Sequence, residues 1–148
     1  MFGVTNPETE AAVRAYVKLM RASRAVLARI EPLLAAAGLT PTQLGVLEAV
    51  LHKGPLNQRA LGRLVLTSAG NMTDVVDKLE ARGLVHRARN ATDRRAVQVE
   101  LTGPGRGLIE EIFPRHADDI AVAMGGVTGK DLARLDGLLK RLGVAAHS

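Results

Sequence analysis

The sequence predicts a mainly α-helical fold that carries one small β-hairpin. Apolar residues recur at helical spacing through long stretches near both ends of the chain, and short capped helices fill its middle. One run, Ala96 to Leu101, instead alternates with the period of a strand. A length of 148 residues suits one core, or one core shared with a twin.

From Pro7 to about Leu34, apolar residues fall at Val13, Val17, Met20, Leu27, Ile30 and Leu34, with a second stripe at Tyr16, Leu19, Val26 and Leu33. This is a long helix with two apolar sides, and in so small a chain the second side implies a partner subunit. Pro32 lies inside the pattern and predicts a kink or reset of the last turn, since proline has no N–H and crowds the preceding turn.

Thr40-Pro41-Thr42-Gln43 reads as a capping box with proline at the first helical position, opening a helix through Leu44, Leu47, Val50 and Leu51 that Gly54-Pro55 stops. Asn57 caps a short helix ending near Val65, with Leu56 placed to staple onto Leu61. Thr67 or Ser68 then caps a helix whose buried stripe is Met72, Val75, Val76 and Leu79, and Gly83 ends it. Two such helices around a tight turn make a helix-turn-helix.

Leu84 to Arg89 and Ala96 to Leu101 read as two strands joined by the polar turn Asn90 to Arg94, with Val97, Val99 and Leu101 alternating against Gln98 and Glu100. Thr102 caps a long helix carrying Leu108, Ile109, Ile112, Ile120 and Met124, which Pro114 should bend and Gly125-Gly126 should end. Thr128 caps a last helix with Leu132, Leu135, Leu138, Leu139 and Leu142, closed by Gly143.

Composition narrows the chemistry. The chain has no cysteine, which excludes disulfides, thiolate nucleophiles, Fe-S clusters and Cys-ligated zinc. No cofactor is expected. His52, His86, His116 and His147 are dispersed and form no His-x-x-x-His pair, so no metal site is expected, and His116 with Asp119 reads as a surface ion pair. Glu110 and Glu111 point to different sides of their helix and do not pair as acid and base. Gly103, Gly105 and Gly107 follow a strand, but a helix continues where a dinucleotide-binding unit needs a second parallel strand. No catalytic residue emerges, and an enzyme is not expected. No apolar run nears the about 20 residues that span a bilayer and Met1 to Thr5 lacks a signal peptide's features, so a cytoplasmic protein without a membrane partner is expected.

Charge points to a polyanion. Of the net +5, the segment from Arg82 to Arg106 contributes +4, with Arg82, Arg87, Arg89, Arg94, Arg95 and Arg106 against Asp93 and Glu100. The hairpin places Arg87, Arg89, Arg94 and Arg95 on a thin ribbon suited to a minor groove, with Asp93 able to fix an arginine rotamer. On the preceding helix, Gly70, Thr73, Asp74, Asp77, Lys78 and Ala81 lie opposite the buried stripe, with Ser68, Ala69 and Asn71 near its start. Small and polar groups there suit the DNA major groove. Asp74 and Asp77 would repel phosphate, so at least one should orient a basic neighbour. A helix-turn-helix followed by a basic hairpin is a winged helix.

The run Leu66-Thr67-Ser68-Ala69-Gly70-Asn71-Met72-Thr73-Asp74-Val75-Val76-Asp77-Lys78-Leu79-Glu80-Ala81-Arg82-Gly83-Leu84-Val85, followed by Asp93-Arg94-Arg95 and Leu101-Thr102, resembles the MarR family of winged-helix regulators. The likeness extends over nearly the whole chain, including Gly38-Leu39-Thr40 to Gln43-Leu44. It implies a single domain over 1–148, with dimerisation helices at 7–36 and 103–148 and a winged helix-turn-helix DNA-binding region at 40–102. It further implies a homodimeric transcriptional repressor, released from a pseudo-palindromic, inverted-repeat operator on double-stranded DNA by a small phenolic or carboxylate effector. Ser68, Gly70, Asn71, Thr73, Asp74 and Lys78 would face the major groove. Arg94 would be the minor-groove finger braced by Asp93, with Arg87 and Arg95 beside it.

Tyr16, Met20, Leu51, Phe113 and His116 would line the effector crevice, although Phe2, Tyr16 and Phe113 are the chain's only aromatic rings for stacking. The stretch Glu111-Ile112-Phe113-Pro114-Arg115-His116 resembles regulators that respond to hydroquinones and related phenols. Gly103-Pro104-Gly105 departs from the family pattern and predicts a loose start to its helix, and the missing cysteine excludes the peroxide-sensing branch. The other reading of the same pattern is a winged-helix module for protein contacts, without operator specificity.

Overall fold

The computed structural model describes residues 6–65, 69–89, 92 and 97–147. Its elements are α1 (Pro7–Ala36), α2 (Pro41–Lys53), β1 (Leu56–Asn57), α3 (Gln58–Leu64), α4 (Ala69–Ala81), β2 (Val85–Arg89), β3 (Val97–Leu101), α5 (Gly103–Ala123) and α6 (Gly129–His147). The fold is mainly helical with a small antiparallel wing, as the sequence predicts. Packing divides it into two units, one built from Glu31–Ala117 and the other from the described residues up to Ile30 together with those from Asp118 onward.

Local chemistry sets the helix ends in the Glu31–Ala117 unit. At the start of α2 the capping box forms in both directions: Gln43 N–H donates to Thr40 Oγ1 at 3.1 Å and Thr40 N–H to Gln43 Oε1 at 3.0 Å. Asn57 Oδ1 accepts from Ala60 N–H at 2.7 Å and starts α3. The expected cap of α4 at Thr67 or Ser68 lies outside the described residues. α4 ends at Gly83, whose φ of +72° suits glycine. Gly83 N–H reaches Glu80 O and Leu84 N–H reaches Leu79 O, which satisfies the carbonyls of the last turn.

The interior of this unit follows the predicted stripes. Met72, Val75, Val76 and Leu79 of α4 are all buried, against Leu44, Leu47 and Val50 of α2, Leu61 of α3, and Ile109 and Ile112 of α5. The sheet has the order β1-β3-β2, antiparallel throughout, with Leu56 opposite Val99 and Arg87 opposite Val99 on the other side. β1 was not expected, because a two-residue strand has no periodicity to read. Val99 is fully buried, whereas Val97 stays exposed where the hairpin leaves the core.

Several expectations change. α5 begins in order at Gly103, with Gly105 N–H bound to Thr102 Oγ1 at 3.0 Å. A Cβ at Gly105 would strike the Leu84 carbonyl, so glycine there allows close approach rather than loosening the helix. His116, expected at the surface, is only 5% exposed. It continues the buried stripe of Gly105, Ile109 and Ile112 at helical spacing. Pro32 lies inside α1 and Pro114 inside α5, so neither proline ends its helix.

In the other unit, α6 runs past Gly143 to His147, since an interior glycine costs only about 1 kcal/mol against alanine and no proline follows. This unit leaves Tyr16, Met20, Leu138, Leu142 and Val144 among its exposed large apolar side chains. Every other described large apolar side chain that is exposed also lies in it, except Leu64 and Val97.

Candidate nucleic-acid interface

The outer face of α4 is the first half of the candidate interface. Gly70, Asn71, Thr73, Asp74, Asp77 and Lys78 are all exposed, opposite a fully apolar buried face. A Cβ at Gly70 would meet open space, so the helix surface there is low and unobstructed. Both acids hold a cation: Asp74 Oδ2 lies 3.0 Å from Lys78 Nζ, and Asp77 Oδ1 lies 2.6 Å from Arg87 Nη2. Ser68, Asp93, Arg94 and Arg95, expected to contact DNA or to brace a contact, lie outside the described residues.

Arg87 joins the two halves. Its position on β2 places it on the same strand face as buried Val85, and its side chain is 23% exposed. The guanidinium donates through Nη1 to Glu80 Oε1 at 2.9 Å, through Nε to Gln58 Oε1 at 2.8 Å, and through Nη2 to Thr73 O at 3.4 Å, besides pairing with Asp77. Its backbone N–H also reaches Glu80 Oε2 at 2.9 Å. Gln58 Nε2 donates in turn to Thr73 Oγ1 at 3.2 Å. The sequence places Arg87 on the ribbon with Arg89, Arg94 and Arg95, and the structure turns its guanidinium onto α3 and α4.

Sequence reasoning did not single out Gln58 or Glu80. Asp77 and Glu80 form an i, i+3 acid pair on the polar face of α4, a mildly repulsive arrangement that a cation relieves, and this spacing was the available signal. The basic segment is thus divided by task. Arg82 donates to Gly38 O and Ala37 O at the end of α1, Arg106 pairs with Glu110 at 3.4 Å, and Arg87 serves the acids of α4. On the wing, His86 Nε2 lies 3.0 Å from Glu100 Oε2 across the β2–β3 pair.

Of the residues expected to line an effector crevice, Leu51 and Phe113 pack against the core of the Glu31–Ala117 unit. Phe113 lies 6.4 Å from the ring of His116 and meets the edge of His52 at 5.6 Å. His116 Nδ1 is buried without a hydrogen-bond partner among the described residues. Tyr16 and Met20 belong to the other unit and are 60% and 38% exposed. An open cleft of about 260 Å³ lies between α2 and α3, bordered by Gly45, His52 and Val65, and none of the five expected residues lines it. Among the described residues no group of three or more His, Asp or Glu side chains is placed to hold a metal ion.

A family model described as the MarR family matches residues 37–96. The HTH-type transcriptional regulator MhqR of Bacillus subtilis is 34% identical over 138 residues, covering 93% of this chain and 95% of that protein. A probable transcriptional regulator from Pseudomonas aeruginosa superposes with a TM-score of 0.77 at 31% identity, over 85% of this chain and 94% of the other. Bordetella bronchiseptica BpsR, whose DNA binding is regulated by 6-hydroxynicotinic acid, superposes with a TM-score of 0.76 at 28% identity, over 84% and 89%. With the helix-turn-helix, the wing and a likeness spanning almost its full length, the chain belongs to the MarR family of winged helix-turn-helix transcriptional regulators.

Proposed function

We propose that this chain is a homodimeric, sequence-specific DNA-binding repressor that a small phenolic or carboxylate effector releases from an inverted-repeat operator. The observation that carries the reading is the outer face of α4, polar and low from Gly70 to Lys78, tied through Arg87 to the root of a basic wing. In this arrangement α4 enters a major groove, with Ser68, Gly70, Asn71, Thr73 and Asp74 toward the bases and Lys78 toward phosphate. Arg94, with Asp93 and Arg95 beside it, reaches the neighbouring minor groove. Regions 7–36 and 103–148 serve as dimerisation helices around the DNA-binding region 40–102, and their exposed leucines supply the apolar surface for a second copy. The protein works in the cytoplasm, and among its described residues no single helix is long and apolar enough to cross a membrane. Catalysis and a cofactor have no part in this reading.

The effector site we assign to Leu51, Phe113 and His116. An unpaired buried nitrogen such as His116 Nδ1 costs about 1–3 kcal/mol, and a hydroxyl or carboxyl group would satisfy it. The hydroxylated aromatic acid that regulates BpsR has both groups. Release requires only that the effector bind the non-operator-binding state more tightly by a few kcal/mol.

The deciding experiment is selection from random duplex DNA with the purified chain. The expected result is enrichment of one inverted repeat with half-site centres about 10 bp apart, the spacing of successive major grooves on one DNA face. Failure to enrich any sequence removes the operator and leaves a winged-helix module for protein contacts. Phenols, hydroxylated aromatic acids and simple carboxylates are then screened for release of the enriched duplex, and His116→Leu should abolish release by an active compound while leaving DNA affinity unchanged.

A further inference from the structure

Besides Asp74, which pairs with Lys78 on its own helix, the outer face of α4 carries two acids, Asp77 and Glu80, that are out of place in a surface that meets phosphate. Asp77 is 60% and Glu80 is 40% exposed, and a bare carboxylate on this face adds charge repulsion to every encounter with DNA. Yet both are held by one side chain from a different element. Arg87 spans Asp77, Glu80 and Gln58 at 2.6, 2.9 and 2.8 Å, with Thr73 O at the edge of reach. A planar guanidinium can serve these acceptors together because its five N–H donors sit in a fixed fork, which a lysine ammonium lacks. Glu80 grips the same residue twice, at its guanidinium and at its backbone N–H, which fixes β2 as well as the side chain.

We propose that Arg87 is a positioning residue of the DNA interface. It masks Asp77 and Glu80 from the DNA and locks the root of the wing to α3 and α4. The acids are then anchors rather than liabilities. While Arg87 is present the two acids carry half their bare charge and set the spacing between the major-groove helix and the minor-groove ribbon, and when it is absent both charges stand uncompensated beside phosphate. This rests on the DNA-binding reading above, and it gives Arg87 a role without a direct DNA contact.

A double-mutant cycle tests it, with affinity read by fluorescence anisotropy on the duplex enriched by the wild-type chain. Arg87→Ala should weaken binding about tenfold or more, and adding Asp77→Asn with Glu80→Gln should recover the part of that loss due to bare charge, the lost lock on the wing remaining. The same two neutral substitutions made with Arg87 in place should raise affinity clearly less, because Arg87 already offsets one of the two charges and the amide oxygens of Asn and Gln still accept from it. Equal gains in both backgrounds overturn the proposal, since an arginine that contacts DNA independently of the acids gives additive effects. If Arg87→Ala does not fold by circular dichroism, the cycle runs in Arg87→Lys, which keeps the charge but cannot span the three side chains. A smaller loss with the same non-additivity supports the proposal, and full wild-type affinity with additive effects overturns it. A wild-type chain that binds no duplex overturns the DNA-binding reading itself and this proposal with it, an outcome distinct from additivity in a chain that binds.

Discussion

Thr102 Oγ1 donates to the carbonyl oxygen of Gly83 at 2.6 Å and itself accepts from Gly105 N–H at 3.0 Å. One hydroxyl therefore joins the end of α4 to the start of α5. Thr102→Val, which keeps the shape and removes both bonds, should cost about 2 kcal/mol, and Thr102→Ser should cost well under half of that. Urea denaturation midpoints at constant slope check the order, and a loss for serine with none for valine would assign the effect to the methyl group.

Gly105 and Gly107 make an internally controlled pair. A Cβ at Gly105 would lie 2.8 Å from the carbonyl carbon of Leu84 and closer still to its oxygen, whereas one at Gly107 would meet nothing within 4 Å. Gly105→Ala should destabilise by about 2 kcal/mol or more as α5 is pushed off the hairpin, and Gly107→Ala should stabilise by up to about 1 kcal/mol through helix propensity. Thermal melts of the two variants should shift in opposite directions.

Arg82 is fully engaged at the end of α1, with Nη1 2.7 Å from Gly38 O and Nη2 3.1 Å from Ala37 O. It supplies positive charge and donors where a helix leaves carbonyls unpaired. Arg82→Ala should lower stability by about 1 kcal/mol, reduced from a buried charged bond because the group is exposed. Denaturation with and without 1 M NaCl separates the parts, since salt weakens the dipole contribution more than the hydrogen bonds.

Lys78 and Arg94 should fail differently on the selected duplex. Lys78→Ala should lower the slope of log affinity against log salt by about 1, as loss of one phosphate contact does. Arg94→Ala should cost about 1–3 kcal/mol and relax preference at the base pairs under the wing. An unchanged salt slope removes Lys78 from the phosphate contacts, and an unchanged sequence preference removes Arg94 from the minor groove.

Light scattering should give twice the 15.7 kDa chain mass at micromolar concentration. Leu138→Glu with Leu142→Glu, on side chains 52% and 49% exposed in the single chain, should convert the protein to monomer and abolish high-affinity operator binding. A wild-type monomer at that concentration would sink the homodimer.

What the sequence made legible was local. The capping box at Thr40 and Gln43, the cap at Asn57, and the stripe of Met72, Val75, Val76 and Leu79 each depend on residues three or four apart, so spacing alone declares them. The Arg87 cluster was legible only in part: an acid of α4 was expected to hold a basic neighbour, but Arg87 was not singled out as that neighbour, since its partners lie 7 to 29 positions away and polar pairing leaves no periodic trace. Gly105 looked like a defect until the Leu84 backbone appeared beside it, and His116 looked polar until its place on a buried stripe proved stronger than its chemistry. The effector-site residues were named from resemblance, and only Phe113 and His116 are found with their rings together.

Three consecutive residues receive two other helices: Arg82 takes the end of α1, and Gly83 and Leu84 take the start of α5, with Thr102 N–H on Leu84 O at 3.1 Å. That makes the close of α4 a fulcrum. The helix has 13 residues and is about 20 Å long. A rotation of about 10° at the fulcrum therefore carries its far end through about 3.5 Å, one base-pair step along the duplex. Because Met72, Val75 and Val76 hold the intervening length of α4 in the core, such a rotation has to carry the whole Glu31–Ala117 unit with it.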